Sequence, residues 1–504
     1  MNAPGSTKAT PLHGIASDAI DASCRMPLFV LFGVAALWLA ASSVFGLIAS
    51  IKFHSPTFLS EAGWLTYGRV YPAAKSMFLY GFALPAALGT TLWIFARIGK
   101  VGAAQPFFIA AGGALWNLGV LAGVIGIFAG HSTGFENMEM PRYAAVLLFF
   151  GFLLIGIWTL VTLHERRDRR LGVTQWFLLA ALFWFPWIYS TAQLLLVVWP
   201  ARGTAQAVIH WWFSANFTVL WCGLAGLGVV FYFIEHVAGR PLHNSPLAVF
   251  ALWTSLLFVS WTGIPAGAPV PAWIPTLSTI AGVVSVVPLI ALAMVLVPTL
   301  RATDVPPSAG GEITSHRSAW CRLTSTVPGR LVASGLVAFL VAWVVQLICA
   351  IPSVNGFVQF TWFTYALSQL NLYAFLALTL FGAIYLIAPR VAGMDWPWPK
   401  VVRLHFWLAV IGIALIVLPL AAGGLLQASK FASKASHPEL SFVTVANGTL
   451  HFLRISSIGE VLLLLGHVLL AGNLLTLMAR CARARLAAAY ESAVAEVRTA
   501  EVKP

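Results

Sequence analysis

The sequence predicts an all-α polytopic membrane protein, a bundle of twelve transmembrane helices. Of its 504 residues, 60% are hydrophobic and 9% are charged, whereas soluble domains carry about 25% charged residues. The apolar residues form long runs, and about 20 in a row are enough for a helix to cross a bilayer. The basic residues behind the net charge of +13 lie in short loops between these runs. That pattern indicates membrane topology and lipid as a partner, and it argues against a nucleic-acid partner.

Three parts follow one another along the chain. Residues 1–25 are polar, which predicts a disordered cytoplasmic tail and not a signal peptide, because the first apolar run starts too late. Residues 26–480 form one membrane domain without an internal repeat, and residues 481–504 form a cytoplasmic tail, either a short amphipathic helix or a frayed end. The predicted spans are 27–50, 76–98, 105–129, 143–163, 175–199, 207–234, 246–266, 271–298, 331–351, 361–388, 403–423 and 455–478.

Lys and Arg are distributed unequally between the two sides of the predicted bundle. With the N-terminus inside, the inner segments hold 21 of the 29 basic residues and the outer segments hold 8. The densest run, ERRDRR at 165–170, lies in an inner loop. By the positive-inside rule, both the N-terminus and the C-terminus are predicted to be cytoplasmic.

The tenth span, 361–388, is unusual because its first third is polar. Polar groups at membrane depth are stable when they meet a partner, so they usually face the interior of a helix bundle. We therefore expect this span to be central. Its polar residues are Thr361, Thr364, Ser368, Gln369 and Asn371.

Several segments match one known family in the order in which they occur. They are LTYGRVYP (65–72), HWWFSAN (210–216), EHVAGRPL (235–242), WTGIPAGAPVPAW (261–273), the span 361–390 that closes with Pro389-Arg390, and RISSIGEVLLLLGHVLLAGN (454–473). Together they resemble subunit I of the heme-copper oxidase superfamily, specifically the cbb3-type cytochrome c oxidase branch. The resemblance implies the twelve-helix fold of that subunit in a bacterial-type inner membrane.

The resemblance also indicates where the family carries its metal ligands. Its heme-ligating histidines match Ala74, Leu367 and Gln369, its copper-ligating histidines match Ala215, Pro265 and Ala266, and its cross-linked tyrosine matches Val259. Heme iron and copper are held in proteins mainly by imidazole or sulfur donors. Alanine, leucine and proline have no donor atom, and an amide oxygen is a poor ligand for iron. We therefore expect neither heme nor copper on this chain; the alternative, implied by the family, is heme b and copper.

Three functions from different classes stay open at this point. The residue chemistry favours a cofactor-free structural or assembly subunit of a respiratory electron-transfer complex, with partner subunits such as a c-type cytochrome. The resemblance alone implies an active terminal oxidase or nitric-oxide reductase with unrecognised heme and copper ligands. A twelve-helix bundle could also have been repurposed as a pathway for protons, ions or a solute. Fold-level kinship does not choose among them, because function resides in sites.

Five polar residues are further candidates. His210 precedes two tryptophans at a helix end, where an interfacial hydrogen bond is the ordinary interpretation. Glu460 and His467 share one face of the last helix, and such a pair carries protons or joins helices by hydrogen bonds. Glu136 and Glu139 lie in the loop GHSTGFENMEMPRY (130–143), where carboxylates could hold a hard cation or simply be solvated.

The cysteines give no evidence of a metal site. Cys24, Cys222, Cys321, Cys349 and Cys481 are scattered, and no CxxC or CxxCH motif occurs in the sequence. Neither a thiolate zinc site nor covalently attached c-type heme is therefore predicted, and structural thiols are expected.

The last expectation concerns the volume that two hemes would occupy. Protein interiors contain few voids, because unpaired walls lose their dispersion contacts. We therefore expect large side chains and closer helix packing to fill much of that volume, and any remaining cavity to be apolar, with at most a lipid or quinone tail inside. Ser368, Gln369 and Asn371 are then expected to form hydrogen bonds to neighbouring helices.

Overall fold

The computed structural model describes residues 13–303, 317–433 and 441–501, and these residues form a helical bundle. Within these ranges, twelve long helices account for the bundle. They are α1 (His13–His54), α2 (Tyr67–Gly99), α3 (Pro106–Ala129), α4 (Arg142–His164), α5 (Val173–Val198), α6 (Thr204–Val237), α7 (Ser245–Val259), α8 (Trp273–Arg301), α9 (Val327–Cys349), α10 (Trp362–Ala392), α11 (Pro399–Ser433) and α12 (Leu450–Glu501).

The seventh helix is shorter than the sequence predicts. Eleven helices in the described ranges are long and apolar enough to cross a membrane, but α7 has 15 residues and ends at Val259 instead of continuing to residue 266. At 1.5 Å per residue it spans about 22 Å, less than the roughly 30 Å hydrocarbon core. The helix stops because Gly263 adopts a φ of 105° and Pro265 follows it.

Both ends of the chain are more helical than the sequence predicts. Helix α1 begins at His13, so residues 13–25 are not the disordered tail that was expected. Asp21 anchors this stretch by accepting a hydrogen bond of 2.8 Å from Trp93 Nε1 and pairing with Arg97 at 3.3 Å. Helix α12 continues to Glu501, so residues 481–501 are helical, in line with the helical alternative and not with a frayed end. Residues 1–12 and 502–504 lie outside the described residues.

Helices α2, α6 and α10 form the centre of the bundle. Their most apolar windows are 100%, 89% and 83% buried, whereas the corresponding windows of the other spans are between 39% and 50% buried. The central place expected for the tenth span is therefore confirmed. The surrounding helices bury one face and leave apolar side chains such as Leu118, Ile125 and Leu418 exposed on the other, as lipid contact requires.

The same three central helices contain π-helical turns in their middle. These segments are Met77–Ala83 in α2, Asn216–Trp221 in α6 and Leu370–Ala377 in α10. A π turn is rare, usually isolated within an α-helix, and frequently found at functional sites. Two further π turns end α5 (Leu194–Val198) and α6 (Phe233–Val237), so it is the mid-helix position of the three central turns that directs attention to the middle of the bundle.

Candidate functional site

Two cavities lie beside the central helices. The large cavity has a volume of about 520 Å³ and lies between α6, α7, α8, α9 and α10. Its wall includes Ala215, Pro265, Ala266, Leu367 and Val259. These are the three positions matched to copper ligands, one matched to a heme ligand, and the one matched to the cross-linked tyrosine. Residues far apart in the sequence are thus brought to one site.

The small cavity has a volume of about 50 Å³ and lies between α1, α2, α10, α11 and α12. Its wall includes the other two positions matched to heme ligands, Ala74 and Gln369. The rings of Phe78 and Tyr373 stack there with centroids 4.1 Å apart. A volume of this size holds one or a few water molecules, each of which takes about 30 Å³ in the liquid.

The π-helical turns of the three central helices lie next to positions that match metal ligands. Ala74 lies three residues before the π segment of α2, Ala215 directly precedes the π segment of α6, and Gln369 directly precedes that of α10. Sequence reasoning missed these turns, because a single extra residue in a helical turn leaves no reliable trace in the hydrophobic pattern. Helical periodicity that shifts across each segment is the only signal that could have indicated them.

The donor atoms around the large cavity do not match the ligand set of the family's copper centre. Its wall contains one imidazole, His210, one thiol, Cys349, and one carboxylate, Glu136. Within the described ranges, no three His, Cys, Asp or Glu side chains are grouped closely enough to hold a metal ion. Gly263 also approaches Ala215 closely, since a Cβ on Gly263 would lie 2.3 Å from Ala215 Cβ. The residues present therefore do not fit the family's copper centre.

The small cavity does not fit a heme either. Ala74 supplies no donor, and the stacked Phe78 and Tyr373 rings narrow the space between α2 and α10. The expected filling by large side chains therefore describes this site correctly. For the large cavity it is wrong: about 520 Å³ stays open, and its wall is partly polar, with Ser368 and Asn371 among the lining residues.

The expected hydrogen bonds of the α10 amides differ as well. Asn371 Nδ2 donates to the carbonyl of Leu367 at 3.1 Å, one turn back in its own helix and not in a neighbouring one. The expectation for Asn371 is therefore wrong. Because Asn371 donates within its own helix, this hydrogen bond does not bridge the cavity to a neighbouring helix.

The loop 130–141 forms the rim of the large cavity at one end of the bundle. This distal end also carries the loops 55–66 and 199–203. Lys75 of α2 forms an ion pair with Glu136, whose side chain is 51% exposed. The neighbouring ammonium lowers the pKa of the Glu136 carboxyl. His210 Nε2 donates to the backbone carbonyl of Glu136 at 3.2 Å.

Glu139 lies in the same loop but is buried. The residue is 4% exposed, and burial raises the pKa of its carboxyl to about 7. Its Oε2 has no hydrogen-bond partner among the described residues. Because Glu136 pairs with Lys75 and Glu139 points into the protein, the two carboxylates do not form the shared cation site that the loop motif left open.

Two buried histidines face each other between α11 and α12. His405 and His467 are both fully buried, and their ring centroids lie 6.0 Å apart. His405 Nδ1 shares a hydrogen bond of 2.9 Å with the Tyr385 hydroxyl. Neither Nε2 atom has a partner among the described residues. Sequence reasoning placed His405 in a span without giving it a role.

His467 and Glu460 do not contact the same partner. His467 Nδ1 lies 2.6 Å from Ser43 Oγ of α1, and that hydroxyl donates to the carbonyl of Leu39 at 2.9 Å. The hydroxyl has one hydrogen, so His467 Nδ1 donates to Ser43 Oγ and Nε2 is left as an acceptor. Glu460 instead lines the small cavity beside Gln369. His467 thus joins α12 to α1, whereas Glu460 faces the small cavity.

In the described ranges, eleven helices are long and apolar enough to cross a membrane, and they define the class: this is a multi-pass helical membrane protein. The sequence profile described as cytochrome c and quinol oxidase polypeptide I matches residues 27–462. The chain therefore belongs to the cytochrome c oxidase subunit I family.

Sequence relatives agree with this assignment. The chain is 22% identical to a cytochrome c oxidase subunit 1 homolog of Azorhizobium caulinodans over 473 residues, which cover 89% of this chain and 81% of that one. It is also 22% identical to a cbb3-type cytochrome c oxidase subunit of Stutzerimonas stutzeri over 404 residues, covering 78% and 81% respectively.

A solved structure shares the fold. A heme-copper terminal oxidase dimer, determined by cryo-EM, superimposes with a TM-score of 0.70 at 14% sequence identity. The match covers 90% of this chain and 84% of the other. At this identity the likeness establishes the heme-copper oxidase subunit I fold.

Proposed function

We propose that this chain is a cofactor-free structural or assembly subunit of a respiratory electron-transfer complex. One observation carries the proposal: the six positions matched to metal ligands sort into two sites, and none of them bears an imidazole. Ala215, Pro265, Ala266 and Leu367 line the large cavity, and Ala74 and Gln369 line the small one. The grouping of these positions, as a ligand set would be grouped, supports their match to the family's ligand positions.

The experiment is a cofactor assay on the purified chain. We expect less than 0.1 heme per chain by the pyridine hemochrome assay and less than 0.1 copper by elemental analysis. Stoichiometric heme or copper in the protein, purified from its host membrane without added cofactor, would overturn the proposal.

A structural role also requires partners. The relatives named above are described as subunits, and an electron-transfer complex built on this chain would need its redox groups elsewhere, for example on a c-type cytochrome. We expect an affinity-tagged chain, extracted in mild detergent from its host, to co-purify with other membrane subunits, including one that stains for covalent heme. Recovery of the chain as a lone polypeptide at native expression level would contradict this role.

A second candidate is an active oxidase or reductase that uses different ligands. It is favoured by the large cavity, whose 520 Å³ lies where the family's copper positions converge and whose wall includes His210 and Cys349. The cofactor assay separates the two candidates. If heme is found, its loss in His210→Ala or Cys349→Ser identifies the new ligand.

A further inference from the structure

The large cavity extends along α6. Its lining residues on that helix run from His210 to Leu227, a distance of about 25 Å at 1.5 Å per residue. Its volume of about 520 Å³ lies in the range of about 300–1,000 Å³ in which protein pockets bury a drug-sized ligand. The cavity is therefore of a size for one small, elongated molecule.

The wall of the large cavity changes from polar to apolar with depth. At the distal rim it presents Glu136, His210 and Ser214. At the opposite end it is lined by apolar side chains, which are Phe177, Leu224, Leu227 and Phe339. A molecule that matches this wall has a hydrogen-bonding head and an apolar tail.

Most hydroxyls in the middle of the cavity are already satisfied by their own helices. Thr218 donates to the Ser214 carbonyl at 2.8 Å, and Ser255 donates to the Ala251 carbonyl at 2.7 Å. Ser285 donates to the Gly282 carbonyl at 2.7 Å. The donors of these hydroxyls need no hydrogen bond from a bound molecule, so the middle of the cavity accepts an apolar chain despite its serines and threonines.

The charge at the rim indicates the kind of head group. Glu136 is the one carboxylate in the wall, and Lys75 already neutralises it. His210 already donates its Nε2 hydrogen to a backbone carbonyl. The rim thus offers polar contacts without a net charge, and an ionic head would lose its hydration without gaining a counter-ion.

From this geometry we propose that the large cavity binds a single-chain amphiphile with an uncharged, hydrogen-bonding head at the rim and its tail along α6. Two membrane sources share this chemistry, namely an isoprenoid quinol and a monoacylglycerol-type lipid. The proposal goes beyond the structural role and does not depend on it, since the cofactor assay tests that role separately.

Photo-crosslinking in lipid nanodiscs tests the proposal with the full chain. The probe is a monoacylglycerol that carries a diazirine in its acyl chain, and labelled residues are mapped by peptide mass spectrometry. We expect saturable labelling of the α6 segment 218–227 in the cavity wall. The exposed residues Leu118 and Ile125 of α3 contact bulk lipid, so their labelling should rise linearly with probe concentration and serves as an internal reference.

Two variants provide the matched comparison. Thr218→Phe places a ring inside the cavity, whereas Thr254→Phe alters a threonine of α7 that has the same 2.8 Å bond to the carbonyl one turn back but does not line the cavity. We expect at least a tenfold loss of α6 labelling in Thr218→Phe, unchanged labelling in Thr254→Phe, and unchanged α3 labelling in both. The unchanged α3 labelling and a wild-type thermal midpoint establish that the Thr218→Phe protein is folded.

Competition distinguishes the two sources. Unlabelled decylubiquinol and unlabelled monooleoylglycerol are added separately, and stronger protection by one of them identifies the head group that the site prefers. Oleate, which has the same tail as monooleoylglycerol but an ionic head, should compete at least tenfold more weakly than the better of the two. Non-saturable α6 labelling, equal labelling in wild type and Thr218→Phe, or equal competition by oleate would overturn the proposal.

Discussion

Ser43 joins α1 to α12 and sets the tautomer of His467. If Ser43 is changed to Ala, the Nδ1 hydrogen of the buried imidazole loses its acceptor. An unsatisfied buried donor costs about 1–3 kcal/mol in soluble proteins, and hydrogen bonds between membrane helices average about 0.6 kcal/mol. We expect Ser43→Ala to lower the free energy of unfolding by about 1 kcal/mol, measured as a lower thermal midpoint in nanodiscs.

A buried serine of α12 that bonds only its own helix turn is the control for this prediction. Ser456 Oγ donates to the carbonyl of Leu453 at 2.7 Å, and that carbonyl also accepts from the Ser457 hydroxyl. Ser456→Ala therefore removes a donor without unpairing a buried partner, and its thermal midpoint should stay closer to that of the wild type. Equal midpoints for Ser456→Ala and Ser43→Ala would show that the imidazole does not need the serine.

Glu139 makes the stability of the protein depend on pH. Burial raises the pKa of its carboxyl from 4.5 to about 7, so between these pH values the folded state binds more protons than the unfolded state. The stabilising contribution of the neutral Glu139 carboxyl is therefore complete below pH 4.5, and it is lost as the pH rises to about 7. At 1.36 kcal/mol per pKa unit, the loss is on the order of 3 kcal/mol.

Glutamine mimics the neutral carboxyl and does not titrate. We expect the Glu139→Gln protein to have a flatter profile of thermal midpoint against pH between 5 and 8 than the wild type, with the largest gain in stability at pH 8. Glu61→Gln, which alters an exposed carboxylate of the loop 55–66, should keep the wild-type profile. A Glu139→Gln profile parallel to that of the wild type is the outcome that counts against a buried neutral carboxyl.

At the scale of elements, α11 and α12 pack through glycine. A Cβ on Gly459 of α12 would lie 2.6 Å from the carbonyl oxygen of Gly412 and 2.7 Å from Ile416 Cγ1. The backbone cannot yield easily, so Gly459→Ala should separate the two helices and destabilise the protein by about 1–3 kcal/mol. Thermal unfolding in nanodiscs measures the effect.

Gly472, on the same helix, is the matched control because a Cβ there would meet nothing within 4 Å. Alanine is a better helix former than glycine by about 1 kcal/mol, so Gly472→Ala should be neutral or slightly stabilising. If both substitutions have the same effect, intrinsic helix propensity explains the result and close helix packing does not.

The helices themselves were largely predictable from the sequence. Of the twelve spans predicted from apolar runs, eleven are helices long enough to cross a membrane in the described ranges. Apolar runs are informative because a helix satisfies its own backbone hydrogen bonds in lipid. The end of α7 at Val259 was missed, since the residues after it are apolar enough to continue. The chain leaves the helical conformation after Val259, and Gly263 has a positive φ. Gly263 also packs closely against Ala215 of α6, which is a tertiary contact. The π turns were missed because one extra residue in a helical turn leaves no reliable trace in the hydrophobic pattern.

At the scale of the whole molecule, the orientation of the bundle stays a prediction. The split of 21 to 8 basic residues places both termini in the cytoplasm by the positive-inside rule. We expect a fluorescent reporter fused after Pro504 to be active, and a phosphatase reporter at the same point to be inactive. The reverse pattern would falsify this topology, and a phosphatase fused within the loop 130–141 provides the positive control.

The candidate site was only half predictable. Sequence reasoning identified the six positions, and the structure brings them together as two groups. Sequence reasoning did not predict the volumes of the two cavities, because the number of large residues in a sequence does not determine where helices diverge. Phe78 and Tyr373 close one space, whereas the helices around Leu367 and Ala215 leave another open.

The 520 Å³ cavity should also affect how the protein responds to hydrostatic pressure. Pressure favours the state with the smaller volume, and unfolding eliminates internal voids, so a protein with a large void unfolds at lower pressure. A long-chain molecule lodged in the cavity would remove that volume difference. The protein stripped of such molecules should therefore be unusually compressible, and the lipid that surrounds it would determine the pressure it withstands.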